Sequence, residues 1–285
     1  MYNLEQLKAF AEVCESGSIS AAARRLGKAQ SGVSLAIANL EIELNQTLFD
    51  RSQNAVTLTD NGKALLPLVE GLLKELHYFE QKAEALGKGE EDRLLIAIED
   101  TLWEDNLMTA LTELSQRFPH TNVELQLASA AEIVPLLEQG AIHIGLLYDN
   151  LLPTALPVRI LGQQRFVTVA SPRHPLSRLP YVDTAELARH RQILHQNADT
   201  PALSPQYWQT NSYYMMMDLV HHGIGWATLP DHLPEDENFK VELVRLNTTL
   251  TPHPFNIALV TALNHKTGKA TEFLTKRLAE VFGKR

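Results

Sequence analysis

Residues Gln30, Ser31, Ser34, Leu35 and Ala38 carry the clearest chemical pattern in the chain. At spacings of three and four they share one stripe of a helix whose other stripe is Val33, Ile37, Leu40 and Leu44. If the aliphatic stripe turns inward, amide, hydroxyl and small apolar groups turn outward on a rod slim enough for a major groove. A glutamine amide can pair bidentately with adenine, and serine hydroxyls can reach a base or a phosphate. Arg51 is placed for phosphate or minor groove, as are Ser52, Gln53 and Asn54 beyond it. Arg24, Arg25 and Lys28 form a short basic edge nearby. The bland alternatives stand beside these. Gln30 and Ser31 could merely cap the helix, and Arg24 and Arg25 could be a solvated face.

The surrounding elements have to position that stripe. Asn3 can cap a helix carrying Leu4, Leu7, Phe10, Ala11 and Cys14, which stops at Gly17. Ser18 opens a second, short helix with Ile19, Ala22, Ala23 and Leu26 inside, and Gly27 makes the turn into the third. The alanines of "SISAAARRLGKAQSGVSLAIANLE" fit two helices that cross closely over a short turn. After Leu48 to Arg51, "SQNA" and "VTLT" read as a two-stranded wing with a polar tip. Thr59 caps a long helix with apolar Leu65, Leu68, Leu72, Leu76, Phe79, Ala83 and Leu86. That stripe suits pairing with a second copy of the chain, packing on its own domain being the alternative. Pro67 should bend this helix or loosen one of its hydrogen bonds.

"GKGEED", from Gly87 to Asp92, reads as a linker. Strands are expected beyond it at Leu94–Ile98, Val123–Ala128, Ile142–Leu147, Phe166–Ala170, Gln192–Leu194, Gly225–Thr228, Val241–Leu246 and Asn256–Thr261. Helices are expected at Asp105–Phe118, Glu132–Glu138, Tyr213–His222 and Lys269–Phe282. The alternation implies a mostly parallel α/β sheet that binds ligands at its strand ends. The expected domains are 1–65 for the winged unit, 66–92 for the linker helix and hinge, and 93–285 for an effector domain.

Composition narrows the function. The 285 residues are 45% hydrophobic, enough for two cores, with a net charge of −9. Residues 1–65 hold six basic and seven acidic side chains, so the first unit is about neutral and can meet phosphate only through its local edge. No apolar run approaches a membrane span, and the N-terminal sequence lacks a signal-peptide pattern. Cys14 is the only cysteine, which suits a reducing cytoplasm. GxSxG, P-loop, dinucleotide and zinc spacings are all missing, so neither a catalytic site nor a metal or other cofactor is expected. His221 and His222 are adjacent and should point to different helix faces.

Three stretches, "LKAFAEVCESGSISAAARRL", "QSGVSLAIANLEIELNQTLFDR" and "LTDNGKALL", together resemble the winged helix-turn-helix of LysR-type transcriptional regulators. The later "LTELSQRFPHTNVEL", "LLEQGAIHIGLL" and "LVHHGIGWATLP" resemble that family's effector domain. The resemblance implies a winged helix-turn-helix, a linker helix and a two-lobed effector domain like a periplasmic solute-binding protein. It also implies binding to double-stranded DNA, a dimer through the linker helix assembling into a tetramer, RNA polymerase as a partner, and a small-molecule effector between the lobes. Carried over by position, the effector contacts are Thr101, Ser129 or Ala130, Tyr148, and Gln196 with Asn197 or Asn211 with Ser212. The alternative is that several of these are ordinary turn and cap residues.

Three positions and two loops make this chain unusual within that pattern. Ala29 stands where a capping Ser or Thr is common, and Leu35 where Gln or Arg is common. Leu35 cannot bind phosphate but can pack on a thymine methyl, so readout should lean on apolar contact and shape, with a shallow salt dependence. His143 stands where relatives carry aspartate. The loops "EDTLWED" and "YDN" contain no Arg or Lys, and a carboxylate such as Asp100 facing the cleft would disfavour a bare anion. An amine, or a neutral ligand stacking on Trp103, fits better. The rival readings are a solute-binding receptor, an enzyme on the α/β half, and a ligand-independent DNA-binding or architectural protein.

Overall fold

The computed structural model describes residues 2–50, 56–149, 155–196, 202–235, 241–250, 252–263 and 267–283. The chain divides into two compact units, 1–87 and 88–285.

The first unit starts with α1 (Leu4–Ser16), closed at its N-terminus by a reciprocal pair: Asn3 Oδ1 accepts the Gln6 N–H, and Gln6 Oε1 accepts the Asn3 N–H. Gly17 ends it at φ 71°, a left-handed conformation that suits glycine. Ser18 caps α2 (Ile19–Arg25), and Gly27, at φ 64°, turns the chain into α3 (Gln30–Leu44). Ala22 and Ala23 are buried against Ala9, Phe10, Val13, Val33, Ile37 and Leu40. The small residues therefore lie where the three helices meet, as their spacing requires.

The wing follows as β1 (Phe49–Asp50) paired antiparallel with β2 (Thr57–Leu58). Thr59 Oγ1 accepts the Gly62 N–H and donates to the Thr47 carbonyl, so one hydroxyl starts α4 (Asp60–Gly87) and ties it to the wing base. A Cβ at Gly62 would collide with the Leu48 carbonyl, which is why glycine stands there. Along α4, Val69 is buried in this unit's core, and Leu65, Leu66 and Leu73 pack against it. Leu68, Leu72, Phe79 and Leu86 are exposed. The expected stripe thus divides: Leu65 serves its own core, and the next positions face outward. The helix continues through Pro67.

The second unit holds two five-stranded sheets. The first has the order β4 (Asn122–Leu127), β3 (Arg93–Ile98), β5 (Ile144–Tyr148), β12 (Phe255–Thr261), β6 (Val158–Gln164). The second has the order β11 (Val244–Arg245), β7 (Phe166–Ala170), β10 (Trp226–Pro230), β8 (Gln192–His195), β9 (Tyr207–Thr210). Each is mixed rather than mostly parallel. β3 runs parallel to β4 and β5, whereas β12 runs antiparallel to β5 and β6. β8 is parallel to β9 and β10, whereas β7 is antiparallel to β10 and β11. The reason is connectivity. The chain passes from the first lobe to the second at β6–β7 and returns before β12, and the strand that enters each lobe, β7 in the second and β12 in the first, runs against the parallel strands.

Helices α5 (Asp105–Arg117), α6 (Ala130–Glu138) and α9 (Lys269–Phe282) belong to the first lobe, and α7 (Thr184–Ala188) and α8 (Tyr213–His221) to the second. The largest core joins both lobes through Tyr148, Leu161, Phe166, Ile257 and Tyr213. Two strands, β6 and β9, fall outside the expected set, and the strand expected at Val241–Leu246 is only Val244–Arg245. The linker sequence is partly structural: Glu91 accepts the N–H groups of Gly268, Ala270 and Thr271 at the start of α9.

Candidate nucleic-acid interface and ligand cleft

Burial settles which stripe of α3 faces outward. Val33, Ile37 and Leu40 are core, Gln30, Ser31 and Leu35 are exposed, and Ser34 and Ala38 are half-buried. Leu35 keeps 61% of its surface and Ile42, on the same stripe, 74%. Among the described residues no side chain caps the N-terminus of α3. Ala29 takes the N-cap position, so Gln30 and Ser31 are its first helical residues rather than its cap. The first-turn N–H groups of such a helix suit a phosphate oxygen.

The basic edge is partly committed. Arg25 pairs with Glu12 and Glu15 at 3.1 and 2.9 Å, and Lys28 pairs with Glu5 at 2.8 Å. Arg24 is exposed and forms no ion pair among the described residues. Arg51, Ser52, Gln53 and Asn54 lie outside the described residues. Glu41 was not foreseen. Its Oε1 accepts the N–H groups of Leu48 and Phe49 at 2.7 and 3.1 Å, which clips the wing base to α3. Burial and the nearby Glu70 push the Cys14 thiol up to about 11, so it stays protonated at neutral pH.

In the second unit the parallel strands end together. Asp100, Thr101 and Leu102 form a single 3-10 turn after β3, and Ser129 stands at the start of α6 after β4. Tyr148 ends β5, and Ser212 caps α8 after β9. Thr101 Oγ1 and the Tyr148 hydroxyl, both buried, are 2.8 Å apart. Asp100 Oδ1 accepts the Thr101 N–H, and its Oδ2 accepts the Ser212 hydroxyl from the other lobe at 2.8 Å. Four expected residues therefore form one hydrogen-bonded chain across the lobes.

The others lie around it. Ser129 donates its N–H and hydroxyl to Glu132, Ala130 is buried, and Gln196 and Asn211 are exposed. Trp103 is 40% exposed. Asn197 lies outside the described residues. Asp149 is held by the backbone and side chain of Asn256. His143 Nδ1 accepts the Leu95 N–H, a strand-edge role.

Glu99 is the main residue missed. It is 5% exposed, and its carboxylate accepts the Tyr148 N–H at 2.6 Å and the Ala130 N–H at 3.4 Å. Burial pushes its pKa up to about 7 against the pull of those two donors. Its signal in the sequence is a carboxylate ending the apolar run "LLIAI". An aromatic floor was also missed. Phe166 lies 5.9 Å from Tyr148, 5.9 Å from Tyr213 and 5.2 Å from Phe255, and His195 stacks on Tyr213 at 4.2 Å.

Residues 4–63 match the family model described as bacterial regulatory helix-turn-helix protein, lysR family, and residues 87–283 match the LysR substrate binding domain. The transcriptional regulator AceR of Acinetobacter baumannii is 32% identical over 281 residues, 95% of each chain. CrgA of Neisseria meningitidis serogroup C is 26% identical over 97% of each. Among solved structures, an OxyR C206 mutant of Corynebacterium glutamicum superposes with a TM-score of 0.62 at 21% identity, covering 100% of this chain and 94% of that one. CbnR, a LysR family transcriptional regulator, does so with 0.60 at 18%, covering 97% and 99%. A neutral winged unit with an outward polar stripe and a two-lobed unit with converging strand ends are thus matched by models spanning nearly the whole chain. The chain belongs to the LysR family of DNA-binding transcriptional regulators controlled by small molecules.

Proposed function

We propose that α3 enters the major groove of double-stranded DNA with Gln30, Ser31, Ser34, Leu35 and Ala38 against the bases, while Arg24, Lys28, Arg51 and Gln53 meet the backbone. The observation that carries this reading is the exposure of Leu35 on a helix whose opposite stripe is fully buried. A large aliphatic group left in water on a DNA-reading helix is explained by contact with thymine methyl groups. The protein works as a dimer joined by the outward stripe of α4, and two dimers make a tetramer. It catalyses nothing, acts in the cytoplasm where the DNA is, and affects transcription by RNA polymerase. Its effector binds between the lobes, near Asp100, Thr101, Trp103, Ser129, Ala130, Tyr148, Gln196, Asn197, Asn211 and Ser212.

Fluorescence anisotropy with the regulated promoter tests the reading. Gln30→Ala and the double change Ser31→Ala, Ser34→Ala should each weaken specific binding about tenfold or more while leaving non-specific binding nearly unchanged. Unchanged specific affinity in both variants would refute the assignment of α3. A specific affinity and DNA bend that no small molecule alters would favour a ligand-independent regulator.

A further inference from the structure

The charge lining the cleft bears on what occupies it, taking as given the proposed reading that a small molecule binds between the lobes. Three carboxylates lie between β3 and α5, Glu99, Asp100 and Glu104, and Asp105 opens α5. Burial raises the pKa of the Tyr148 and Tyr213 hydroxyls, and the carboxylates add to it, Glu99 and Glu104 at Tyr148 and Glu99 and Asp100 at Tyr213. The segments 99–105, 128–130, 148–149, 195–196 and 210–213 contain neither Lys nor Arg. The one weak base among them, His195, is kept neutral, because burial lowers its pKa. The raised tyrosine hydroxyls are neutral too, so they add no charge of either sign.

We infer that the effector is an organic cation, an amine whose ammonium group pairs with the half-buried Asp100 beside the Ser212 hydroxyl and whose carbon skeleton lies against the exposed ring of Trp103 on the same segment. Aromatic faces attract an ammonium ion through their quadrupole, and a carboxylate next to them adds direct attraction. A bound carboxylate in the same place would meet like charge, with no Lys or Arg on those segments to offset it. At about 4 Å in a partly buried site, one charge of the wrong sign changes affinity by roughly a thousandfold. Asp100 also retains the capacity to accept: each of its oxygens takes one hydrogen bond, and a carboxylate oxygen can take two.

The test uses the full-length chain and matched ligand pairs: hexylamine against hexanoate, phenethylamine against 3-phenylpropanoate, and a linear diamine against the dicarboxylate of equal length. At millimolar concentration and pH 7.5, at least one amine should raise the melting temperature by several degrees while its carboxylate twin does not. By calorimetry, Asp100→Asn should weaken that amine at least tenfold, and Glu104→Gln, which replaces a peripheral charge, should weaken it a few-fold. A carboxylate that stabilises more than its amine twin overturns the inference, as does silence from every amine or an amine affinity that both variants leave intact. Promoter binding measured on the same preparation separates the two readings. If it persists while the amines fail, only the ligand class falls; if it is missing, the regulator reading falls with it.

Discussion

Ser212 caps α8 in one lobe and donates its hydroxyl to the Asp100 carboxylate of the other at 2.8 Å. One hydroxyl therefore serves a helix terminus and an inter-lobe bond at once, and both rest on the backbone that ends β3 and β9. The Thr101–Tyr148 hydroxyl pair lies one residue further along, behind the latch.

Ser212→Ala removes both bonds. The lost cap costs about 1 kcal/mol, and the bond to a half-exposed carboxylate costs a similar amount, about 1 kcal/mol. Melting of the effector unit should fall by roughly 5 °C, whereas Ser212→Thr, which keeps the hydroxyl, should recover most of it. Scanning calorimetry of the three proteins checks this. An alanine variant that melts with the parent would show that the bond contributes nothing.

Glu99 makes stability depend on pH near neutrality. Its folded pKa is raised from 4.5 to about 7, so the native carboxyl holds a proton that the unfolded chain has already released. The resulting stabilisation is complete below the unfolded pKa and disappears as pH rises through the folded one. Between pH 6 and pH 8 about 1.4 kcal/mol should be lost through this group alone. Urea denaturation at the two pH values should show that loss in the parent and a flatter profile in Glu99→Gln. The glutamine pays for its flatness with a lower plateau, because its amide nitrogen meets an N–H donor of Tyr148 or Ala130.

The winged unit was legible because its signals are local. Asn3, Gly17, Ser18 and Gly27 each mark a helix end through their own backbone or side-chain preference, and the three- and four-residue spacing of Val33, Ile37 and Leu40 fixes the buried face. β6 and β9 were missed because edge strands have one open side. Val158 and Ile160 on β6, and Tyr207 and Trp208 on β9, are exposed, so no clean alternation marks them. The antiparallel strands were misread for a different reason: direction depends on where the chain crosses between lobes, and no residue encodes that. Glu99 went unnoticed because its partners are backbone N–H groups from Ala130 and Tyr148, brought in by tertiary structure.

The outward residues of α4 make oligomer state testable. Leu72, Phe79 and Leu86 recur every seven residues, the repeat of a helix that winds about a partner, and Leu68 lies one turn before them. Each is exposed in a single chain, so replacing them leaves the monomer core of Val69 and Leu73 intact. The pair Leu72→Glu, Phe79→Glu forfeits roughly 1.5–3 kcal/mol of burial per side chain and adds like charge. Sedimentation at micromolar concentration should show monomer for the double variant and a dimer or tetramer for the parent, with unchanged helix content. A variant that still sediments as a dimer would place the interface elsewhere.

Leu35 tests how the sequence is read. A leucine against thymine methyl groups contributes through apolar contact, which salt does not screen. Leu35→Arg adds a group that can reach phosphate, so the slope of log K against log salt should steepen by about one. Its non-specific affinity should rise at the same time, because a phosphate contact carries no sequence information. Leu35→Ala acts in the opposite sense. The slope stays the same, and the preference for the promoter over a sequence with one thymine replaced by uracil, which lacks the methyl, shrinks. Titrations from 50 to 200 mM salt on both DNAs separate the two effects. If Leu35→Ala discriminates against uracil as well as the parent does, then the leucine is not reading methyl groups, and its 61% exposure needs another partner.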